Sequence, residues 1–305
     1  MAKTIGVVLS HRVSAGLVTG HQIVGPLRFF PEPGEDDDAA LVELHTEGLI
    51  RAIALQVLAA AKGHSDIAAV GLATPGIIKH GVVEDSPNLP QLKGARIAEL
   101  LTAELRAHDF DTFVHILNDA DGMAAGLAAT IGKLDSLIRV WTLGIGIGYG
   151  RYPFAEGVWE GGHTVVTLDD KENYCGCGGR GHLEGIMGHR SMRLRFLDME
   201  PEEVFETARL GGSGKDVTRC REFVRLWHKA LAAGTASQIH MSGPGKFLIT
   251  GFNAKYVDLA MLKDYLHQMV KMSPVQSYTL EIVEDKPETR VLGAAVAAEQ
   301  ALGVR

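Results

Sequence analysis

The sequence predicts an α/β fold carrying two related sheets, and three observations predict it. Short apolar runs of strand length alternate with segments of helical period. The strand-like runs gather in clusters separated by helices, the pattern of layered α/β domains. At 305 residues the chain is long enough for two hydrophobic cores.

The elements follow in order. Three short strands joined by tight turns are expected at Thr4–Leu9, Val13–Val18 and Gln22–Phe30. Asp38–Lys62 reads as a helix, because Leu41, Leu44, Gly48, Ala52, Leu55 and Ala59 fall at three- and four-residue steps behind an acidic start. Ile67–Leu72 is a buried-type strand ending in the turn Ala73-Thr74-Pro75-Gly76. A helix at Ile97–His108, a strand at Phe113–Leu117 and an Ala-rich helix at Gly122–Ile131 come next. Strands return at Leu137–Leu143 and Gly148–Phe154, before an irregular stretch from Trp159 to Gly188. Helices at Pro201–Leu210 and Val217–Ala233, a strand at Lys246–Thr250, and helices at Val257–Met272 and Arg290–Leu302 complete the chain.

Composition excludes several classes. Apolar residues make up 46% and charged residues 22%, which is globular rather than disordered. The net charge of −7 and scattered basic residues leave no nucleic-acid footprint. No apolar run has the length of a membrane span, and Met1–His11 carries no signal-peptide core, so a cytoplasmic location is expected.

The cysteines are Cys175, Cys177 and Cys220, an odd count that argues against a disulfide framework. His163, Cys175, Cys177 and His182 instead form H-x11-C-x-C-x4-H. Thiolate and imidazole are the donors tetrahedral Zn²⁺ prefers, and four of them close a structural site. The glycines at 176, 178, 179 and 181 let the loop turn tightly around such an ion. The plain alternative is a glycine-rich loop with incidental cysteines. Cys220, in a Leu-, Phe- and Trp-containing helix, reads as a core residue.

Four segments then read together: Gly71-Leu-Ala-Thr-Pro-Gly76 running to Pro87-Asn-Leu-Pro90, Leu117-Asn-Asp-Ala-Asp121, Glu160-Gly-Gly-His163, and Cys175-Gly-Cys-Gly-Gly-Arg-Gly-His-Leu-Glu184. Their order and spacing, with the closing Gly293-Ala-Ala-Val-Ala-Ala, resemble the ROK (repressor, ORF, kinase) sugar kinases over nearly the whole chain. The resemblance implies the actin-like ATPase (ribonuclease H-like) fold, with two lobes around a central cleft that holds a sugar. It implies a small lobe of residues 1–118 plus 290–305, completed by the last helix, and a large lobe of residues 119–289 with the zinc-binding loop. It also implies a homodimer.

By the same resemblance Asp119 is the base that takes a proton from the attacking hydroxyl, and Asn118 binds a sugar hydroxyl. Glu160, His163 and Glu184 would hold hydroxyls near the anomeric end, and Gly76 and Asn88 would form the sugar wall. The chemistry is sound without the family: a many-hydroxyl ligand needs clustered carboxylates and amides, and one carboxylate beside a hydroxyl can act as general base. The alternative for Asp119 is an N-cap of the following helix. His182 replaces the family's third cysteine, a change zinc accepts.

The chain departs from the family on the nucleotide side. The first phosphate turn reads Val8-Leu-Ser-His-Arg12, with Val8 where an acid would organise Mg²⁺. The second reads Gly144-Ile-Gly146, and the third Thr250-Gly-Phe-Asn253. Each missing charge-assisted hydrogen bond costs about 1.5–3 kcal/mol. Efficient use of Mg-ATP is therefore not expected. Arg12 and His11 lie where the transferred phosphate would sit, and arginine suits bidentate oxyanion binding, so a hexose or an anionic, phosphorylated sugar is the expected ligand. The expectation that follows is a sugar enzyme without ATP, such as a glycoside hydrolase working through Asp119 with Glu160 or Glu184. A ROK hexose kinase with atypical phosphate loops is the first alternative, and a non-catalytic sugar sensor the second.

Overall fold

A computed structural model describes residues 2–34, 39–155, 157 and 160–303. Asp38 and Trp159, which open two of the segments above, lie outside the described residues. The strands in the first part are β1 (Lys3–Leu9), β2 (Val13–Thr19), β3 (Gln22–Phe30), β4 (Ile67–Thr74), β5 (Ile77–Lys79), β6 (Val82–Asp85) and β7 (Phe113–Asn118). The helices among them are α1 (Thr46–Ala61), α2 (Ile97–Arg106) and α3 (Asp119–Thr130). Then come β8 (Ile138–Leu143), β9 (Ile147–Tyr152), α4 (Leu183–Met187), α5 (His189–Arg195), α6 (Pro201–Arg209) and α7 (Lys215–Ser242). The chain closes with β10 (Lys246–Thr250), α8 (Leu259–Met269), β11 (Thr279–Ile282) and α9 (Pro287–Leu302).

Two compact units result. Unit 1 comprises Met1–Ile138, Gly150–Val158 and Lys286–Arg305; unit 2 comprises Arg139–Tyr149 and Trp159–Asp285. The boundary expected between residues 118 and 119 thus moves to Ile138. The reason is α3, which packs along α9 inside unit 1 so closely that a Cβ on Gly293 would lie 1.7 Å from the Gly122 carbonyl oxygen.

Unit 1 is built on a five-stranded sheet in the order β3-β2-β1-β4-β7. β1 runs antiparallel to β2 and parallel to β4, and β4 runs parallel to β7. Strand β1 reads as a continuous apolar run because both its faces are covered, as expected where parallel strands lie between helices. Ile5, Val7 and Leu9 join a core with Leu49, Ile53 and Val57 of α1 and Leu101 and Leu105 of α2. Val8, on the opposite face, joins Ala73, Leu117 and the α9 residues Val291, Ala294 and Ala297. The register pairs Val8 with Ala73 and Thr74 with Asn118, so β1, β4 and β7 all finish at one end of the sheet.

Helix α1 starts eight residues later than the periodicity predicts. Leu41 is buried, but from a turn whose carbonyl accepts from Gln91 Nε2 at 2.7 Å, and Thr46 Oγ1 donates to the Gln91 carbonyl at 2.7 Å. Burial continued the apolar spacing where the helix did not. The short hairpin of β5 and β6 has no counterpart in the predicted elements.

Unit 2 carries the sheet β11-β10-β8-β9, with β10 parallel to β11. Its core joins Trp141 and Leu143 to Phe247 and Ile249, and packs them against Phe205, Trp227, Leu231 and Tyr256. Helix α7 runs nine residues past its predicted end. Gly234, the first residue past that predicted end, serves close packing inside the helix: a Cβ there would lie 3.0 Å from Leu183 Cδ2 and 3.6 Å from the Trp141 ring. Thr235, the next residue, accepts the Trp141 Nε1–H at 3.1 Å. Helix α5 and strand β11 are also absent from the predicted elements. Among the described residues no helix is long and apolar enough to cross a membrane.

Candidate functional site

In unit 1 the predicted residues gather at the end of the sheet where β1, β4 and β7 stop. Asn118 closes β7 and is the N-cap of α3, its Oδ1 accepting the Ala120 N–H at 2.8 Å. The capping role considered for Asp119 therefore belongs to its neighbour, and Asp119 is the first helical residue. A carboxylate there is favoured by the positive end of the helix dipole. Asn118 Nδ2 also donates to the Gly76 carbonyl at 2.9 Å, which joins the end of β7 to the turn after β4. That turn needs glycine: Gly76 has φ of +114°, and a Cβ would lie 2.3 Å from the Asp85 carbonyl oxygen. Ser86 Oγ donates to the Pro75 carbonyl at 2.9 Å and fixes the segment leading to the exposed Asn88.

His11 and Arg12 lie in the turn between β1 and β2, at the same sheet end, with His11 exposed and Arg12 half-buried. Val8 is 3% exposed and faces the α9 cluster, so this strand end offers an apolar side chain where a metal-organising acid would be needed. Asp121, quoted above with Asn118 and Asp119, is buried and accepts the Arg151 N–H at 2.9 Å, which ties α3 to the end of β9.

Unit 2 holds Glu160, His163, Cys175, Cys177, His182 and Glu184. Glu160-Gly-Gly-His163 lies against β9, and its glycines permit the approach: a Cβ on Gly162 would sit 2.0 Å from the Ile147 carbonyl oxygen. His163 N–H donates to the Glu160 carbonyl at 3.0 Å, setting the exposed Glu160 and the half-buried His163 on one tight turn. The following strand segment is clamped to the end of the cysteine loop by a bridge between Val165 and His182.

Of the predicted metal donors, His163, Cys177 and His182 fall in one group, and Cys175 stands beside Cys177. Cys175 Sγ lies 3.4 Å from Cys177 Sγ, and Cys177 Sγ lies 3.3 Å from His182 Nδ1. The His163 and His182 rings stack with centroids 5.3 Å apart. Zinc bonds of about 2.0–2.3 Å in a tetrahedron separate donors by about 3.3–3.8 Å, a range that holds the Cys175–Cys177 and Cys177–His182 separations. Glu184 stands beside the cluster as a further oxygen donor, its Oε1 3.6 Å from Cys175 Sγ and 3.8 Å from His163 Nε2. His163, Cys175 and Glu184 form a second possible ligand group alongside His163, Cys177 and His182. The sequence gives Glu184 a sugar role only; its nearness to the thiol is visible in three dimensions alone.

Burial, neighbouring charges and local hydrogen bonds shift the titration of these groups in opposite directions. Burial pushes the Cys175 thiol up to about 12. Burial also acts to raise Cys177, but the Gly179 N–H and the Cys175 thiol outweigh it and hold Cys177 below its usual value. Burial acts to raise Glu184 too, yet the neighbouring His163 and the Ile147 N–H, 3.0 Å from Oε2, keep it low. His163 is raised, mainly by Glu184.

The remaining phosphate-turn counterparts also meet within unit 2. The Gly144 carbonyl accepts from Asn253 Nδ2 at 3.1 Å and from the His189 N–H at 3.1 Å. Ile145 is 59% exposed and Phe252 51%, so both turns display apolar side chains rather than oxyanion donors.

The family model for ROK proteins matches residues 42–301. The chain belongs to the ROK family. A glucokinase from Pyrobaculum calidifontis is 29% identical over 201 residues, covering 61% of this chain and 62% of the glucokinase. The chain thus matches less than two thirds of that relative's length. A ROK hexokinase from Thermus thermophilus superposes with a TM-score of 0.78 at 22% identity, over 99% of each chain. A ROK glucokinase from Streptomyces griseus, solved with glucose and AMPPNP, gives 0.69 at 20% identity, over 98% of this chain and 100% of that one. This ROK protein therefore has the actin-like ATPase fold implied by its motifs. Glycoside hydrolysis finds no support among these relatives, which favour the sugar-kinase alternative.

Proposed function

We propose that this ROK protein is a sugar kinase that transfers a phosphoryl group to a hydroxyl of a hexose. The observation that carries the reading is the arrangement at the head of α3. Asn118 takes the cap and anchors to Gly76, which fixes Asp119 on the first helical turn at the end of the parallel strands. In this role Asp119 accepts the proton of the attacking hydroxyl, a step worth roughly 10²–10⁴ in rate. Asn118 keeps a second N–H for the sugar, and Gly76 and Asn88 belong to the same wall. Glu160, His163 and Glu184 bind further hydroxyls. Arg12 and His11 meet the phosphoryl oxygens.

Two further groups are implied by the family. Zinc suits the donor chemistry of His163, Cys175, Cys177 and His182: Cys177 lies at tetrahedral spacing from Cys175 and His182, and the four would hold the ion as a closed structural site that fixes the loop bearing Glu184. Mg-ATP does not fit at the β1–β2 turn, where residues 8–12 carry no carboxylate and Val8 is buried among Ala73, Leu117 and Val291. That observation favours a second reading, a sugar-binding ROK protein with little turnover from ATP.

One experiment separates them. Purified protein is incubated with a panel of hexoses and either Mg-ATP or inorganic polyphosphate, and sugar phosphate is measured beside calorimetric sugar binding. Phosphorylation of a bound hexose from either donor supports the kinase. Sugar binding without product from either donor supports the second reading, and absence of both overturns the sugar site.

A further inference from the structure

The loop that carries Cys175 is anchored at a point away from its metal donors. Glu172, three residues before Cys175, is 8% exposed, and both its carboxylate oxygens pair with the guanidinium of Arg195 at the end of α5; the bond from Nη1 to Oε1 is 2.9 Å. The guanidinium also lies over the Tyr174 ring, 4.3 Å from its centroid, and 5.4 Å from that of Phe223 in the unit 2 core. Two further bonds reinforce the anchor. Ser191 Oγ, one turn earlier on α5, donates to the Tyr174 carbonyl at 3.1 Å, and the Gly181 N–H donates to the Glu172 carbonyl at 2.6 Å. Residues 172, 174 and 181 are thus all held, while the donors Cys177 and His182 hang between or beside the fixed points.

Helix α4 links this anchor to Glu184. A Cβ on Gly185 would lie 2.9 Å from the Cys175 nitrogen, so the loop and α4 touch backbone to backbone. Cys175 Sγ is then set 3.6 Å from Glu184 Oε1. None of the three anchoring contacts requires an ion.

We propose that Arg195 is a positioning residue that holds the loop from Glu172 to Gly181 in its ligating shape before any metal arrives, and thereby sets Glu184 for the sugar. The proposal rests on the sugar and zinc roles assigned above. Arginine suits the task because its planar fork engages both carboxylate oxygens while one face stacks on an aromatic ring, which lysine cannot reproduce. Groups behind metal ligands typically change metal affinity by roughly 10–100-fold when removed.

The test compares wild type with Arg195→Met and Arg195→Lys. Zinc affinity is read by competition with a chromophoric chelator, hexose affinity by calorimetry at low and saturating zinc, and amide hydrogen exchange is followed in the metal-free proteins. The Met variant is expected to bind zinc about tenfold or more weakly. Its hexose affinity should fall and be restored by excess zinc, with the Lys variant intermediate. Unchanged zinc affinity beside a lower melting temperature would mean that Arg195 only stabilises the fold, and would overturn the proposal. A hexose defect that saturating zinc leaves in place would do the same. Should the variants fail to fold, metal-free wild type decides: protection of the Gly181 amide is expected, and rapid exchange there overturns the latch. A wild type that takes up no zinc defeats the metal reading, and the same amide then still reports whether the loop is held.

Discussion

Asn118 donates to the Gly76 carbonyl at 2.9 Å while its own side-chain oxygen caps α3, so one amide joins two strand ends to one helix. Removing it has a double cost. Asn118→Ala is expected to lose about 1 kcal/mol from the cap alone, with a further loss from the Gly76 carbonyl. Asn118→Asp keeps the cap but not the donor, so it should be the more stable variant yet still bind hexose weakly. Thermal denaturation and sugar titration of both variants check this.

The next residue should behave differently. Asp119→Asn preserves shape and removes the base, so phosphoryl transfer should drop by roughly 10²–10⁴ while the hexose dissociation constant stays within a few-fold. A variant that retained wild-type turnover would remove Asp119 from the mechanism.

The metal site is tested by its unusual fourth donor. One zinc per chain is expected by elemental analysis, and His182→Cys should retain it because zinc takes either donor. His182→Ala should lose most of it, and the loss should register as weaker hexose binding.

A buried histidine gives the chain a pH dependence. His228 Nδ1–H donates to the Val224 carbonyl at 2.7 Å, and its Nε2 accepts the Asp258 N–H at 2.9 Å, an arrangement only the neutral ring makes. Burial lowers its pKa from the ordinary 6.5. Above that value the ring is neutral in both states and its contribution is fully present. As pH falls below it, the unfolded chain takes a proton that the folded one resists, and stability declines until the lower folded value is reached. Denaturant titrations between pH 8 and 5 should show this decline. His228→Leu, less stable at pH 8 by about 1–3 kcal/mol, should show a shallower one.

The α3–α9 contact has no room for a methyl group. Gly293→Ala would place a Cβ 1.7 Å from the Gly122 carbonyl oxygen, backbone that cannot rotate aside. A loss of about 3 kcal/mol or more is expected, at or above the usual range for overpacking. A melting temperature within two degrees of wild type would show that the helices separate freely.

The strands and the close grouping of histidine and cysteine side chains were legible in the sequence for different reasons. β1 and β10 announce themselves through apolar runs of strand length, and His163, Cys177 and His182, with Cys175 beside them, through the close spacing of thiol and imidazole in the sequence. The start of α1 was not legible, since Leu41 is buried from a turn and mimics helical spacing. The end of α7 was not legible either: the helix runs on through Gly234, a glycine used for closeness to Leu183 and Trp141. Arg195 and Glu172 carried no signal at all: two charged residues 23 positions apart are ordinary until folding buries them together.

The discontinuity of unit 1 has a bearing on synthesis. Residues 139–149 and 159–285, which make up unit 2, leave the ribosome before α9 does. The α9-facing side of the first sheet, with Gly6, Val8, Gly71 and Ala73, is translated more than two hundred residues ahead of Val291 and Ala294, the side chains that cover it. Domains usually mature in the order they are made. Here the first domain begun is the last one closed, and a nascent chain holds an uncovered apolar sheet for most of its translation. Chaperone dependence should therefore track the interval before α9 emerges rather than the hydrophobicity of the finished surface.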